Sequence, residues 1–132
     1  MSKVNELIQQ YTSDALEIRR HIHRHPELSM EEKNTTEFIS QQLLKYGIEI
    51  SDIPFKSGVL GILKGGENGH TILLRADIDA LPMVEKSGLP FTSENTEVCH
   101  SCGHDIHTTA LLLAARVLTS LRDELKGTVL FL

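Results

Sequence analysis

The chain has no tryptophan and only two tyrosines and four phenylalanines, so aromatic residues make up 5% of its 132 positions. That scarcity excludes an aromatic platform on which bases or sugars would stack. Positive charge is also thin. Thirteen Lys and Arg against eighteen Asp and Glu give a net charge of −5, with a pI near 5.8. A nucleic-acid-binding domain carries a basic stripe, and the nearest approach here is Arg19, Arg20 and Arg24, interleaved with histidines. No apolar run reaches the length that crosses a bilayer. Met1–Glu6 lacks the charged-then-apolar layout of a secretory leader, so the expectation is a cytoplasmic, soluble protein. There are two cysteines, Cys99 and Cys102, in Cys-x-x-Cys spacing. Such a pair suits a redox motif, but a reducing compartment keeps thiols free, and the adjacent histidines favour metal over disulfide.

What is present is enough for one compact domain, with 40% of the residues hydrophobic. Leu7, Ile8, Tyr11, Ala15, Leu16, Ile18 and Ile22 recur at helical spacing, which predicts an amphipathic helix over 4–24. Pro26 drives His25 out of helical geometry and ends it. A second helix is expected over 31–46, with Ser29 and Glu32 as its capping box and Gly47 as its left-handed stop. Strands are predicted over 48–53, 58–64 and 71–77, the last two joined as a hairpin by Gly65-Gly66-Glu67-Asn68-Gly69. Ile72-Leu73-Leu74 reads as a central strand covered on both faces. Residues 78–101, with Pro82, Gly88 and Pro90, read as a long loop wrapping a site. A strongly apolar helix follows from Asp105 to about residue 122. The closing stretch Thr128–Leu132 reads as a strand with an exposed edge that invites pairing with another chain, as if the chain were the front part of something larger. Helices enclosing strands in this order predict an α/β fold with a mixed sheet flanked by helices. Chemistry in such folds gathers in loops at strand C-termini, here the one after Leu74 and the one ending at Asp105.

The second of those loops is the richest. Cys99-His100-Ser101-Cys102-Gly103-His104-Asp105-Ile106-His107 holds five potential metal ligands in nine residues. Thiolate and neutral imidazole suit borderline-soft divalent ions such as zinc. Cys102 and His104 can converge on one ion only where the backbone turns, and Gly103 permits that turn. Asp105 is the expected orienting partner of His104; the competing reading is a buried thiol beside a helix-capping histidine. His107 either joins the ligands, supports them, or contacts substrate, and His100 has weaker standing. A structural zinc finger is excluded, because four ligands within nine residues leave no loop to close a tetrahedron. Asp77 and Asp79 share a strand face unless a turn at Ile78 parts them. One would then face the metal and the other take Arg75 or backbone donors, against the blander reading of a loop-capping pair. His21, His23 and His25 are expected in structural or solvent roles, with Glu27 as a partner for Arg24.

Three stretches in register, His23-Arg24-His25-Pro26-Glu27-Leu28-Ser29, Leu74-Arg75-Ala76-Asp77-Ile78-Asp79-Ala80-Leu81-Pro82 and His100–Thr108, make the chain similar to a known family. It resembles the N-acyl-amino-acid amidohydrolases, the hippurate-hydrolase and auxin-conjugate-hydrolase branch of the aminoacylase-like metallopeptidases. The resemblance implies that residues 1–132 are the N-terminal portion of a metallopeptidase-like catalytic domain, without its remainder and without a lid or dimerisation domain. It further implies two divalent ions per complete site (zinc, manganese or cobalt), Cys102 and His104 as metal ligands, Asp77 as the catalytic aspartate, and a small N-acyl amino acid as substrate. Arg75 stands where more distant relatives use a ligand histidine, so no ligand role passes to it. Cys99 and Ser101 replace the family's usual methionine and alanine. The family's glutamate pair, general base and ligand, is not in this chain, which is therefore expected to hold metal in partial occupancy and to hydrolyse little. The competing expectations are a non-catalytic module that forms a homo-oligomer through the closing strand and, ranked last, a Cys-x-x-Cys redox protein.

Overall fold

The computed structural model describes residues 1–132. In order, α1 spans Lys3–Arg24, α2 Lys33–Lys45, β1 Glu49–Ile50, β2 Gly61–Lys64, β3 Glu67–Leu74, α3 His104–Ser120, and β4 Lys126–Phe131, with a short 3-10 turn at Arg122–Glu124 before β4. The three helices fall where periodicity places them. Ser2 caps α1 by accepting the N–H of Asn5 at 3.3 Å, and α1 ends one residue before His25-Pro26. The start of α2 differs from expectation. Ser29 makes no cap; instead the carboxylate of Glu27 accepts the N–H groups of Asn34 and Thr35 at 3.1 and 2.6 Å. A charged acceptor at the positive end of the helix satisfies two orphan donors at once, so Glu27 serves α2 and not Arg24.

The four strands form one mixed sheet in the order β1-β2-β4-β3, confirming the mixed α/β class. β2 runs antiparallel to β4, and β3 runs parallel to it. Three sequence expectations are therefore corrected. The glycine-rich turn does not make a hairpin, because β4 lies between β2 and β3. Gly65 instead donates its N–H to Gly127 of β4 at 2.8 Å, and a Cβ on Gly127 (φ +98°) would lie 2.0 Å from the His70 carbonyl oxygen. Local turn chemistry cannot reveal that a third strand, distant in sequence, splits the pair. The closing strand is likewise not an exposed edge: it is paired on both sides, and the free edges belong to β1 and β3. Nor is β3 central and covered, since Ile72 is 57% and Leu73 50% exposed. Its apolar run marks surface that nothing within these residues covers.

The core lies where α2 and α3 pack on the sheet. Ile39 and Leu43 from α2, Leu112 and Ala115 from α3, and Leu63 and Phe131 from the sheet enclose it with Ile48. Leu63 is fully buried, and burying such a side chain stabilises by about 1.5–3 kcal/mol. α1 lies on the other flank of α3, held at its far end by Tyr11 and Ser120, whose hydroxyls meet at 3.0 Å. This packing brings the C-terminal end of β3 beside the N-terminal end of α3, where both chemistry-bearing loops emerge. The loop between them is tied down by paired bonds of Leu81 with Cys99, both 3.0 Å, and by Ala80 donating to Glu27 at 2.8 Å.

Candidate functional site

Gly103 makes the turn into α3. It adopts φ +88° at the N-cap, a left-handed conformation that costs a side chain strain even though a Cβ there would meet no atom within 4 Å. Ile106 and His107 donate their N–H groups to its carbonyl at 3.0 and 3.2 Å. The turn brings Cys102 and His104 to a common neighbour. The Cys102 thiol donates to the main-chain oxygen of Asp79 at 3.7 Å, and His104 Nδ1 lies 3.1 Å from that same oxygen. His104 Nδ1 also lies 2.9 Å from the Asp79 carboxylate. A carboxylate holding one imidazole nitrogen fixes the ring's orientation and leaves the other nitrogen as a lone-pair donor. The cysteine is exposed and His104 keeps a quarter of its side-chain surface, so the pair forms a shelf open to solvent.

Asp79, not Asp105, is therefore the partner that orients His104. Asp105 has no exposed surface and turns into the core. There Asp105 Oδ2 accepts from Arg19 Nε at 2.9 Å and from His23 Nδ1 at 2.7 Å, and His23 Nε2 reaches Glu85 Oε1 at 3.0 Å. Burial pushes the Glu85 carboxyl upward, but bonds from His23, the Ser87 hydroxyl and the Ser93 N–H outweigh it and hold the group at about 2. The sequence reading missed this network and underrated His23. Asp105, Thr108, Thr109 and Leu112, spaced 3, 4 and 7 apart, share one buried face of α3, but three of the four are polar, so apolar period did not mark that face.

Asp77 faces a different partner from Asp79. Its carboxylate pairs with the Arg75 guanidinium, and its main-chain oxygen accepts from Thr108 Oγ1 at 3.1 Å. The two carboxylates thus take separate partners, Arg75 and His104. Both still line one cavity of about 320 Å³, shared with Arg75, Thr108, Glu32 and the apolar ends of α2 and β4. His107 is exposed, its ring centroid 5.9 Å from that of His104, and it lines a second groove with Arg75 and Asp77. His100 is buried with neither ring nitrogen bonded to another protein group; burial drives its pKa down, against the pull of the Asp105 charge. His21 and His25 lie with ring centroids 4.5 Å apart, His21 stacked on Phe38. Both cysteines are free thiols, Cys99 buried and Cys102 exposed. No three His, Cys, Asp or Glu side chains come close enough together to hold a metal ion, so the donors on the shelf are a partial set. No helix is long and apolar enough to cross a membrane.

Comparison with known proteins agrees with this fold. Residues 73–132, which hold both loops and α3, match the pattern of peptidase family M20/M25/M40. The chain is 51% identical over 112 residues to an N-acetyl-L-cysteine deacetylase of Bacillus subtilis, covering 85% of this chain and 27% of that protein. It is 40% identical over 131 residues to an N-acyl-L-amino acid amidohydrolase of Geobacillus stearothermophilus, covering 98% and 35% respectively. A crystal structure of a dinuclear metal-binding M20 peptidase from Bacillus subtilis superposes with a TM-score of 0.90 at 45% identity, over 93% of this chain and 35% of the other. The chain thus spans between about a quarter and just over a third of the length of these relatives.

Proposed function

We propose that this chain, which belongs to peptidase family M20/M25/M40, is the N-terminal portion, residues 1–132, of the catalytic domain of a metal-dependent amidohydrolase acting on small N-acyl amino acids. The observation that carries the reading is the meeting of Cys102 and His104 at the Asp79 carbonyl, with the Asp79 carboxylate behind the imidazole. One soft sulfur and one imidazole nitrogen fit part of a site for a divalent ion such as zinc, cobalt or manganese. Cys102 and His104 would hold it, and a pair of such ions would supply Lewis-acid polarisation of the amide carbonyl.

The protein's own groups divide the remaining tasks. Asp79 keeps His104 in the tautomer that presents Nε2 outward. Asp77 is the catalytic carboxylate, and its ion pair with Arg75 holds it at the rim of the cavity it shares with Asp79. The apolar lining from α2, α3 and β4 excludes water from one side of that rim. The free thiols suit a reducing compartment, the cytoplasm.

A second reading, a metal-binding module without catalysis, is favoured by the partial ligand set. Calorimetric zinc titration and hydrolysis assays on N-acetyl and N-benzoyl amino acids separate the two. Zinc should bind this chain, and Cys102→Ser or His104→Ala should each weaken it at least tenfold. Unchanged binding in both variants would refute the site. Metal-dependent hydrolysis abolished by Asp77→Ala would favour the enzyme reading over the module.

A further inference from the structure

The network around Asp105 contributes nothing to the solvent-facing shelf directly, yet it grips the residue next to His104. His23, 6% exposed in the last turn of α1, bridges two carboxylates from distant parts of the chain. Through Nδ1 it meets Asp105 Oδ2 at 2.7 Å, and through Nε2 it meets Glu85 Oε1 at 3.0 Å. Phe91 packs edge-on against the ring at 5.5 Å, with the Arg19 guanidinium 4.9 Å from the Phe91 centroid. Glu85 is tied in turn by the Ser93 N–H at 2.6 Å. Asp105 is the second residue of α3, and its carbonyl accepts from Thr109 Oγ1 at 2.7 Å. The backbone at the start of α3 cannot rotate without breaking a buried, charge-assisted bond.

We infer that His23 is a positioning residue: by holding Asp105 it sets the first turn of α3, and with it the directions in which Cys102 and His104 project. The inference rests on the reading of those two residues as metal ligands. An imidazole suits the task because its two nitrogens diverge from one rigid ring, so one side chain holds two carboxylates that would otherwise repel each other. The direct consequence for the shelf runs through the Asp105 bond; the Glu85 bond fixes the loop instead.

The two bonds are separable. In His23→Asn the amide nitrogen stands where Nδ1 stood and keeps the Asp105 bond; in His23→Gln it stands where Nε2 stood and keeps the Glu85 bond. In the metal-free chain, amide exchange at Ile106 and His107, the first donors of α3, should accelerate tenfold or more in His23→Gln beyond any change in global stability, and stay near wild type in His23→Asn. Cobalt binding, followed by the thiolate charge-transfer band, should weaken about tenfold in His23→Gln and be retained in His23→Asn. Equal responses of the two variants, tracking their thermal stability, would overturn the inference, as would no response in either. Failure of the wild-type chain to bind cobalt would overturn the metal reading alone, while the exchange pattern still decides what His23 does.

Discussion

His104 and Asp105 are consecutive, yet they serve regions built on opposite terms. His104 belongs to an open shelf, where its Asp79 partner keeps 29% of its side-chain surface and the Cys102 thiol is exposed. Asp105 belongs to a sealed network, with no exposed surface and with Arg19 and His23 as donors. A charge in the sealed region needs every partner it has, because desolvation is repaid only by good geometry. A charge on the shelf has water to fall back on, which makes it cheap in stability and free to engage a ligand. The fold thus separates an open shelf from a sealed network across a single peptide bond, with the left-handed Gly103 as the turning point.

The contrast can be broken most forcefully at its two aspartates. Asp105→Ala leaves the buried His23 and the part-buried Arg19 without their acceptor and should lower unfolding free energy by about 3–5 kcal/mol. Asp79→Ala should cost under about 1 kcal/mol while weakening zinc binding about 10- to 100-fold. Urea unfolding and zinc titration of both variants test the pair, and equal stability losses would erase the distinction. Gly103→Ala comes next. With no clash to relieve and only the positive φ to oppose it, it should cost about 1–2 kcal/mol, and thermal unfolding would show it.

Acid sharpens the comparison from the buried side. Glu85 titrates at about 2 in the folded chain against an ordinary 4.5. Its contribution is therefore complete above about pH 4.5 and is lost as pH falls from there towards 2, since the unfolded state takes up the proton first. The urea midpoint should drop across that window, and Glu85→Gln should flatten the drop. The smallest effect belongs to the Arg75–Asp77 pair, whose side chains are 61% and 43% exposed. Arg75→Met should change stability by less than about 1 kcal/mol, measured by the same unfolding curves.

Much of this architecture was legible in the residues. Helical period located all three helices within two or three residues, because an amphipathic face is a local signal. Cys102 and His104 stood out by ligand chemistry and by the glycine between them. Strand order was not legible: β4, which begins only at Lys126, enters between β2 and β3, and a Gly-Gly turn looks the same whether its strands pair or are split. The partner of His104 was misassigned to its neighbour Asp105, because sequence adjacency says nothing about which way a helical side chain faces. Asp79, 25 residues upstream, became its partner only through the packing of α3 beside the end of β3. The role of Glu85 was hidden for the same reason, lying in a loop without period.

The most direct test of the shelf is X-ray absorption at the zinc edge of the reconstituted chain. The account predicts one sulfur scatterer at about 2.3 Å and imidazole nitrogen at about 2.0–2.1 Å, with the sulfur lost in Cys102→Ser and retained in Cys99→Ser. A shell of oxygen and nitrogen alone, or a sulfur that survives Cys102→Ser, would contradict it.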